Sequence, residues 1–334
     1  MDLGAWPRVP LAHLPTPLEP MDRLRRALGT ERAVWVKRDD ATGLAGGGNK
    51  TRKLEYLAAE AKAAGADWLV TTGGVQSNHA RQTAAAAARL GMGCDLVLTR
   101  AVPDRDAGYE STGNVQLDHL LGAHVQIHPV GTDRGEAMDA VAARRRVQGH
   151  TPFVIPTGGS TETGALGYVR AALELVNQAV DRDLAIGTIV VPASSGGTLA
   201  GLLVGLHALN HSARVIGIDV EADAATTRRT VAGLAASTAR RLGVEPPPGE
   251  RLHIEGAHAG PAYGIPTDAT LAAARMAART EGLVLDPVYS AKAMAGLLHG
   301  LDTGALAGEG AVVFVHTGGL PGLFAYPEAA GPAA

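Results

Sequence analysis

Lys50 stands where a glycine-rich loop turns into a helix, in the run Gly46-Gly47-Gly48-Asn49-Lys50-Thr51-Arg52-Lys53. The glycines permit tight or left-handed backbone and a close ligand approach. A helix starting near Thr51 offers unpaired N–H groups and partial positive charge to an anion. An amine held there beside Arg52 and Lys53 loses its proton at lower cost. That is what a lysine forming a Schiff base requires. Taken alone, the run also reads as a solvated basic helix start.

Three other regions put polar groups where predicted elements end. The run Gly73-Gly74-Val75-Gln76-Ser77-Asn78-His79 leads from a strand into an Ala-rich helix, and its donors suit a carboxylate. Ser77 or Asn78 also serves there as a helix cap. The run Ser195-Gly196-Gly197-Thr198 follows an apolar strand and opens a helix, which is the geometry of a phosphate cradle. It has neither the lysine of a Walker loop nor the glycine spacing of a dinucleotide fingerprint. Toward the C-terminus, Asp286-Pro287-Val288-Tyr289-Ser290 precedes a helix and His316-Thr317-Gly318-Gly319 follows a strand. Tyr263 sits in a turn between Gly260 and Gly264. Such strand ends are where α/β folds bind ligands.

The elements that must position these groups alternate. Short apolar runs predict strands over 34–36, 68–71, 94–98, 124–127, 153–155, 188–191, 215–218 and 311–315. Helical periodicity predicts helices over 51–64, 78–90, 113–121, 135–147, 164–180, 198–209, 224–242, 268–279 and 290–299. This alternation implies an α/β fold of parallel sheets flanked by helices. The run Arg144 to Arg146 reads as a solvated helix face, and Pro246 to Pro248 as a surface loop.

Bulk properties exclude several classes. The chain has 334 residues, 46% apolar content and a net charge of −3, as an ordinary globular protein does, with no basic excess for nucleic acid. Cys94 is the sole cysteine, in an apolar run, and reads as a buried strand thiol that excludes an internal disulfide. Residues 1–10 show no secretory pattern and no apolar stretch reaches membrane length, so a cytoplasmic location is expected. His207 and His211 stand four apart on a predicted helix without a metalloprotease glutamate, and His119, His124 and His128 straddle a helix end and a strand. No metal is expected at either set.

Together, these residues resemble the family of D-cysteine desulfhydrases and 1-aminocyclopropane-1-carboxylate deaminases. The match runs from Lys37-Arg38-Asp39-Asp40 to Gly319, and the runs 47–57 and 73–79 are the most specific to it. The resemblance implies a two-domain fold-type II architecture similar to the tryptophan synthase β subunit. It places a small domain at 51–159 and a large cofactor-binding domain at 1–50 plus 160–334, in a homodimer. It implies pyridoxal 5'-phosphate bound to Lys50, with Lys53, Ser195, Gly196, Gly197 and Thr198 on the phosphate. Asn78 would meet the ring hydroxyl, with Ser290 and Thr317 also beside the cofactor. Ser77, Asn78, His79 and Gly159 would bind a small amino-acid substrate. Ser77, Tyr263 and Tyr289 would join Lys50 in moving protons.

The implied reaction is β-elimination from D-cysteine to pyruvate, ammonia and hydrogen sulfide. The alternative is release of sulfite from L-cysteate, and third comes the cyclopropane deaminase. Deaminases carry Glu after the second tyrosine and Leu after the last histidine, where this chain has Ser290 and Thr317. A carboxylate keeps a pyridine nitrogen protonated for ring opening, whereas a sulfur leaving group can depart with a neutral hydroxyl partner. The segment Thr161 to Thr163 and the residues His258, Ala259 and Ala262 depart from the family pattern near the expected substrate. A non-catalytic ligand-binding protein on this fold would be expected to have lost Lys50, Ser77 or a tyrosine, and none is lost. A nucleotide-binding α/β protein would need a Gly-x-Gly-x-x-Gly opening, which is not found.

Overall fold

The structure, a computed structural model, describes residues 2–330. Residue 1 and residues 331–334 of the expected large domain therefore lie outside the described part. In chain order the elements are β1 (Leu18–Pro20), α1 (Asp22–Ala27), β2 (Val34–Arg38), α2 (Lys50–Ala63), β3 (Trp68–Gly74), α3 (Asn78–Leu90) and β4 (Gly93–Thr99). Next come α4 (Gly113–Leu120), β5 (His124–His128), α5 (Arg134–Val147), β6 (Pro152–Ile155), α6 (Glu162–Val180), β7 (Ile186–Ala193) and α7 (Gly197–Ala208). The chain continues through β8 (Arg214–Asp219), α8 (Ala224–Leu242), β9 (Leu252–Glu255), α9 (Asp268–Glu281), α10 (Ser290–Asp302), β10 (Ala311–His316) and α11 (Leu320–Leu323).

The strands form two sheets. One has the order β5-β4-β3-β6 and is wholly parallel, with Trp68 opposite both Gly93 and Pro152. The other has the order β1-β2-β10-β7-β8-β9. Its pairs are parallel except at one edge, where β1 runs antiparallel to β2 with Leu18 opposite Lys37. Apolar strands covered on both faces explain the continuous Val/Ile/Leu runs of β4, β7 and β10. One core cluster joins β7 and β8 to α6, α7 and α8, a second fills the other face of the larger sheet under α9 and α10, and a third packs α2 and α3 on the smaller sheet. Poly-alanine in α3 lets that helix lie close to its neighbours, and Ala84 to Ala87 are buried.

All the strands and helices read from periodicity are present, and α2 begins at Lys50 itself. The three-residue β1, the short α1 and α11, and β9 were not legible, because each is too short to show a period and β1 lies in a Pro-rich stretch. Two expectations need correction. Arg145 is not a solvated side chain, since it pairs with buried Asp95 at 2.7 Å and lies 3.9 Å over the Trp68 ring. His211 lies beyond the end of α7, so it does not share a helix with His207. Cys94 is buried on β4, and burial pushes its thiol far up.

Candidate active site

The loop before α2 shapes the floor of the site. Gly47 has φ +72, and a Cβ there would lie 1.8 Å from the Asp40 carbonyl oxygen, so only glycine fits. The Asn49 N–H donates to Thr317 O at 2.9 Å, tying this loop to the end of β10. Lys50 is thereby placed at the start of α2, half-buried, with Nζ donating to Asn49 Oδ1 at 3.1 Å and lying 5.9 Å from the Tyr289 ring centre. Burial pushes its amine down to about 8; Asp286 opposes the fall and Arg81 adds to it.

Opposite lies the start of α3. Ser77 caps the helix, its Oγ accepting from the Ala80 N–H at 3.1 Å, which leaves its own hydroxyl proton free to donate. The Asn78 side-chain oxygen accepts from Arg81 Nη1 and from Asn114 Nδ2, both at 3.1 Å. Its amide N–H groups therefore remain for the pocket. His79 Nε2 meets Thr71 Oγ1 at 2.8 Å, and that hydroxyl donates to Ile155 O. The proton thus sits on Nε2 of a neutral ring. Burial keeps His79 neutral, with the charges of Lys50 and Lys53 adding to the effect.

The loop between β7 and α7 forms an anion cradle. No side chain of its N-cap residue caps α7, a twelve-residue helix, so backbone N–H groups just after Gly197 are left to meet an anion. The Gly197 N–H reaches Ser160 Oγ at 3.1 Å, and Ser160 Oγ meets Ser195 Oγ at 2.8 Å. Lys53 Nζ lies behind Gly197, donating to Gly158 O at 3.1 Å and Ser160 Oγ at 3.2 Å. A Cβ on Gly197 would come within 2.8 Å of Ser160 Oγ and 2.9 Å of Lys53 Nζ, filling the cradle. Burial and the Lys50 charge push the Lys53 ammonium well down, and an anion in the cradle favours its charged form. The donor set fits the phosphate of pyridoxal phosphate, as Lys50 fits its aldehyde.

Tyr263 and Tyr289 form the third wall. Their hydroxyl oxygens are 2.5 Å apart and the rings meet edge to face at 68°. Burial raises both phenols, so both keep their protons at neutral pH. Buried Asp286 fixes the segment before α10, accepting from the N–H groups of Val288, Tyr289 and Ser290.

Lys50, Ser77, Asn78, His79, Ser195, Gly196, Thr198, Tyr263, Tyr289 and Thr317 all line one pocket. Four expected residues stand behind that wall, Gly197 of the cradle among them. Lys53 is beneath the cradle. Gly159 is buried, its N–H bonded to Pro156 O, while Thr157 and Gly158 face the pocket. Ser290 is buried with its hydroxyl donating to Asp286 Oδ2 at 2.6 Å, so that hydroxyl is already engaged. Arg134 from the start of α5 and Glu221 after β8 also line the pocket, and sequence reasoning passed over both. Glu221 bonds Ser194; burial raises its carboxyl while Ser194 and Arg134 lower it. Glu221, in the loop that follows strand 215–218, could have been suspected from its position; Arg134 had no local signal.

Known proteins resemble the chain over nearly its whole length. The model of the pyridoxal-phosphate dependent enzyme family matches residues 9–318. A D-cysteine desulfhydrase of Klebsiella pneumoniae is 44% identical over 325 residues, covering 97% of this chain and 98% of that protein. One from Salmonella typhi is 41% identical over 324 residues, covering 97% of each. A solved structure described as an ACC deaminase homologue superposes with a TM-score of 0.87 at 37% identity, covering 98% of this chain and 96% of that one. With a match that spans the lysine, the cradle and both tyrosines, the chain belongs to the family of pyridoxal-phosphate dependent enzymes.

Proposed function

We propose that the chain is a lyase that converts D-cysteine and water to pyruvate, ammonia and hydrogen sulfide. The observation that carries this reading is the convergence of an amine lowered to about 8, Lys50, with a cradle for phosphate and a carboxylate-binding helix start in one pocket. Relatives of 41–44% identity that carry the name D-cysteine desulfhydrase support the substrate.

Bound pyridoxal phosphate supplies a sink for the electron pair left when Cα loses its proton. The residues of the chain do the rest. Lys53, Ser195 and the N–H groups opening α7 would hold the phosphate, and Asn78 would donate to the ring oxygen. Ser77 and the first N–H groups of α3 hold the substrate carboxylate, which fixes Cα against the lysine. Lys50 takes the Cα proton, as its lowered basicity allows near neutral pH. The Tyr263–Tyr289 pair, protonated at neutral pH, passes to the departing sulfur the proton that Lys50 took from Cα. The Cα–H and Cβ–S bonds break and a C=C bond forms; water then releases ammonia and pyruvate.

Arg134 favours a second reading, release of sulfite from L-cysteate, because its guanidinium brings a cation to the wall where a sulfonate would lie. Purified enzyme given D-cysteine, L-cysteate or the cyclopropane amino acid decides between the readings. Pyruvate with sulfide from D-cysteine is expected. Sulfite from L-cysteate without sulfide from D-cysteine would replace the first reading by the second.

The strands of the four-stranded sheet all fall within 51–159, which supports a small domain there and a large one at 1–50 plus 160–334. The protein acts in the cytoplasm as a homodimer. Exposed Phe324 (70%), Val284 (42%) and Leu320 (41%) supply an apolar surface for the second copy. Phe324→Glu should yield monomer in light scattering.

A further inference from the structure

Arg81 is a fully buried arginine that the reaction scheme above does not use, on α3 one turn after Asn78. Its Nη1 donates to Asn78 Oδ1 at 3.1 Å and to Asn114 Oδ1 at 2.8 Å, and its Nη2 donates to Gly47 O at 2.6 Å. One guanidinium therefore clamps both the amide that faces the pocket and the loop that delivers Lys50. Its Nε finds no hydrogen-bond partner.

All of these contacts are to neutral oxygens, and Arg81 forms no ion pair among the described residues. Two carboxyls lie close enough to act on it through space. Asp118, on α4, is buried with neither oxygen hydrogen-bonded; burial pushes its carboxyl well up, against the pull of the Arg81 charge. Asp286, in the loop before α10, spends its oxygens on backbone N–H groups and Ser290. Arg81 itself is pushed down by burial, to about 10, and so stays cationic at neutral pH. The charges that act on Lys50 are then Asp286 and Arg81, with Lys53, itself pushed well down by burial, and neutral His79 beside them.

We propose that Arg81 is a positioning residue that aims the Asn78 amide at the cofactor and holds a positive charge, without an ion-pair partner of its own among the described residues, behind Lys50. The clamp fixes geometry. The charge disfavours a proton on the Lys50 nitrogen and favours the negative charge that develops when Cα is deprotonated. The proposal rests on Lys50 as the lysine that carries the cofactor and is independent of which amino acid is consumed.

The test uses the cofactor-loaded enzyme and its visible absorbance, whose change with pH reports the proton on the Lys50 nitrogen. In Arg81→Gln the midpoint should rise by about one pH unit, the size expected for removing one partly buried charge. In Arg81→Lys the charge stays and the fork is lost, so the midpoint should hold while kcat falls at unchanged KM. Asp118→Asn should leave the midpoint in place, because burial disfavours a charge on the acid it replaces. An unchanged midpoint in Arg81→Gln would overturn the electrostatic role. A drop in Asp118→Asn would also overturn it, since it would mean an ionised Asp118 balances Arg81. If Arg81→Gln fails to fold, the other two variants still decide: Arg81→Lys must separate kcat from the midpoint, and loss of neither refutes the clamp. Absence of visible absorbance in the unmodified enzyme would instead defeat the reading of Lys50.

Discussion

The phenol oxygens of Tyr263 and Tyr289 lie 2.5 Å apart although the residues belong to different loops, one before α9 and one opening α10. A neutral hydroxyl pair in a buried wall can pass a proton outward without either phenol ionising, because burial raises both. Tyr289 also faces Lys50, at 5.9 Å from ring centre to Nζ.

Replacing either tyrosine by Phe should keep the fold and the cofactor. Loss of the Tyr289 hydroxyl should lower kcat by about 10²–10⁴-fold, the range for a general acid, with a smaller change in KM. Steady-state kinetics on D-cysteine check this. Equal activity in Tyr263→Phe and Tyr289→Phe with the unmodified enzyme would remove the pair from the reaction.

Lys50 acts as a base only when its amine is neutral, and burial sets that amine to about 8. The fraction of competent base therefore rises with pH through about 8, and kcat should rise with it. A pH profile of kcat with that ascending limb is expected. Lys50→Ala should lose both turnover and the visible absorbance of the loaded enzyme.

Gly197→Ala places a methyl 2.8 Å from Ser160 Oγ and 2.9 Å from Lys53 Nζ, inside the cradle. Weaker cofactor binding, by about tenfold or more for a disturbed charge-assisted contact, is expected. Equilibrium dialysis of cofactor measures it, and circular dichroism verifies that the helix remains.

Asp39 and Arg52 form a buried pair at 2.8 Å, with Glu174 on the same guanidinium. Burial alone would raise the Asp39 carboxyl, but Arg52 outweighs it and holds it below its usual range. The stability from this carboxylate is present above its unfolded value and is lost as pH falls through the lower folded value. Asp39→Asn should cost about 3–5 kcal/mol, as breaking a buried pair does. Urea unfolding at neutral pH measures that cost, and the gap between variant and parent should narrow in acid.

Much of this was legible in the chain. Long apolar runs and Ala-rich amphipathic runs have periods that declare strand or helix without help from tertiary contacts. The lysine, the helix cap at Ser77 and the cradle at Ser195 to Thr198 are local signals, since each depends on residues adjacent in sequence. The α/β pattern also places such groups at strand ends, where ligands bind.

Other features had no local signature. Ser290 was expected beside the cofactor, yet its hydroxyl belongs to Asp286, because a carboxylate four residues earlier reaches it first. Arg134 reaches the pocket only because α5 starts at its rim, and the Tyr263–Tyr289 contact needs two loops to meet. Arg81 reads in sequence as an ordinary polar helix residue; only packing removes its water and counter-ions and makes its charge matter at Lys50. The sequence by itself determined which residues could do the chemistry and which elements carry them. The tertiary structure decided which of those groups share a pocket and how strongly their protons are held, because burial and long-range charge depend on neighbours distant along the chain.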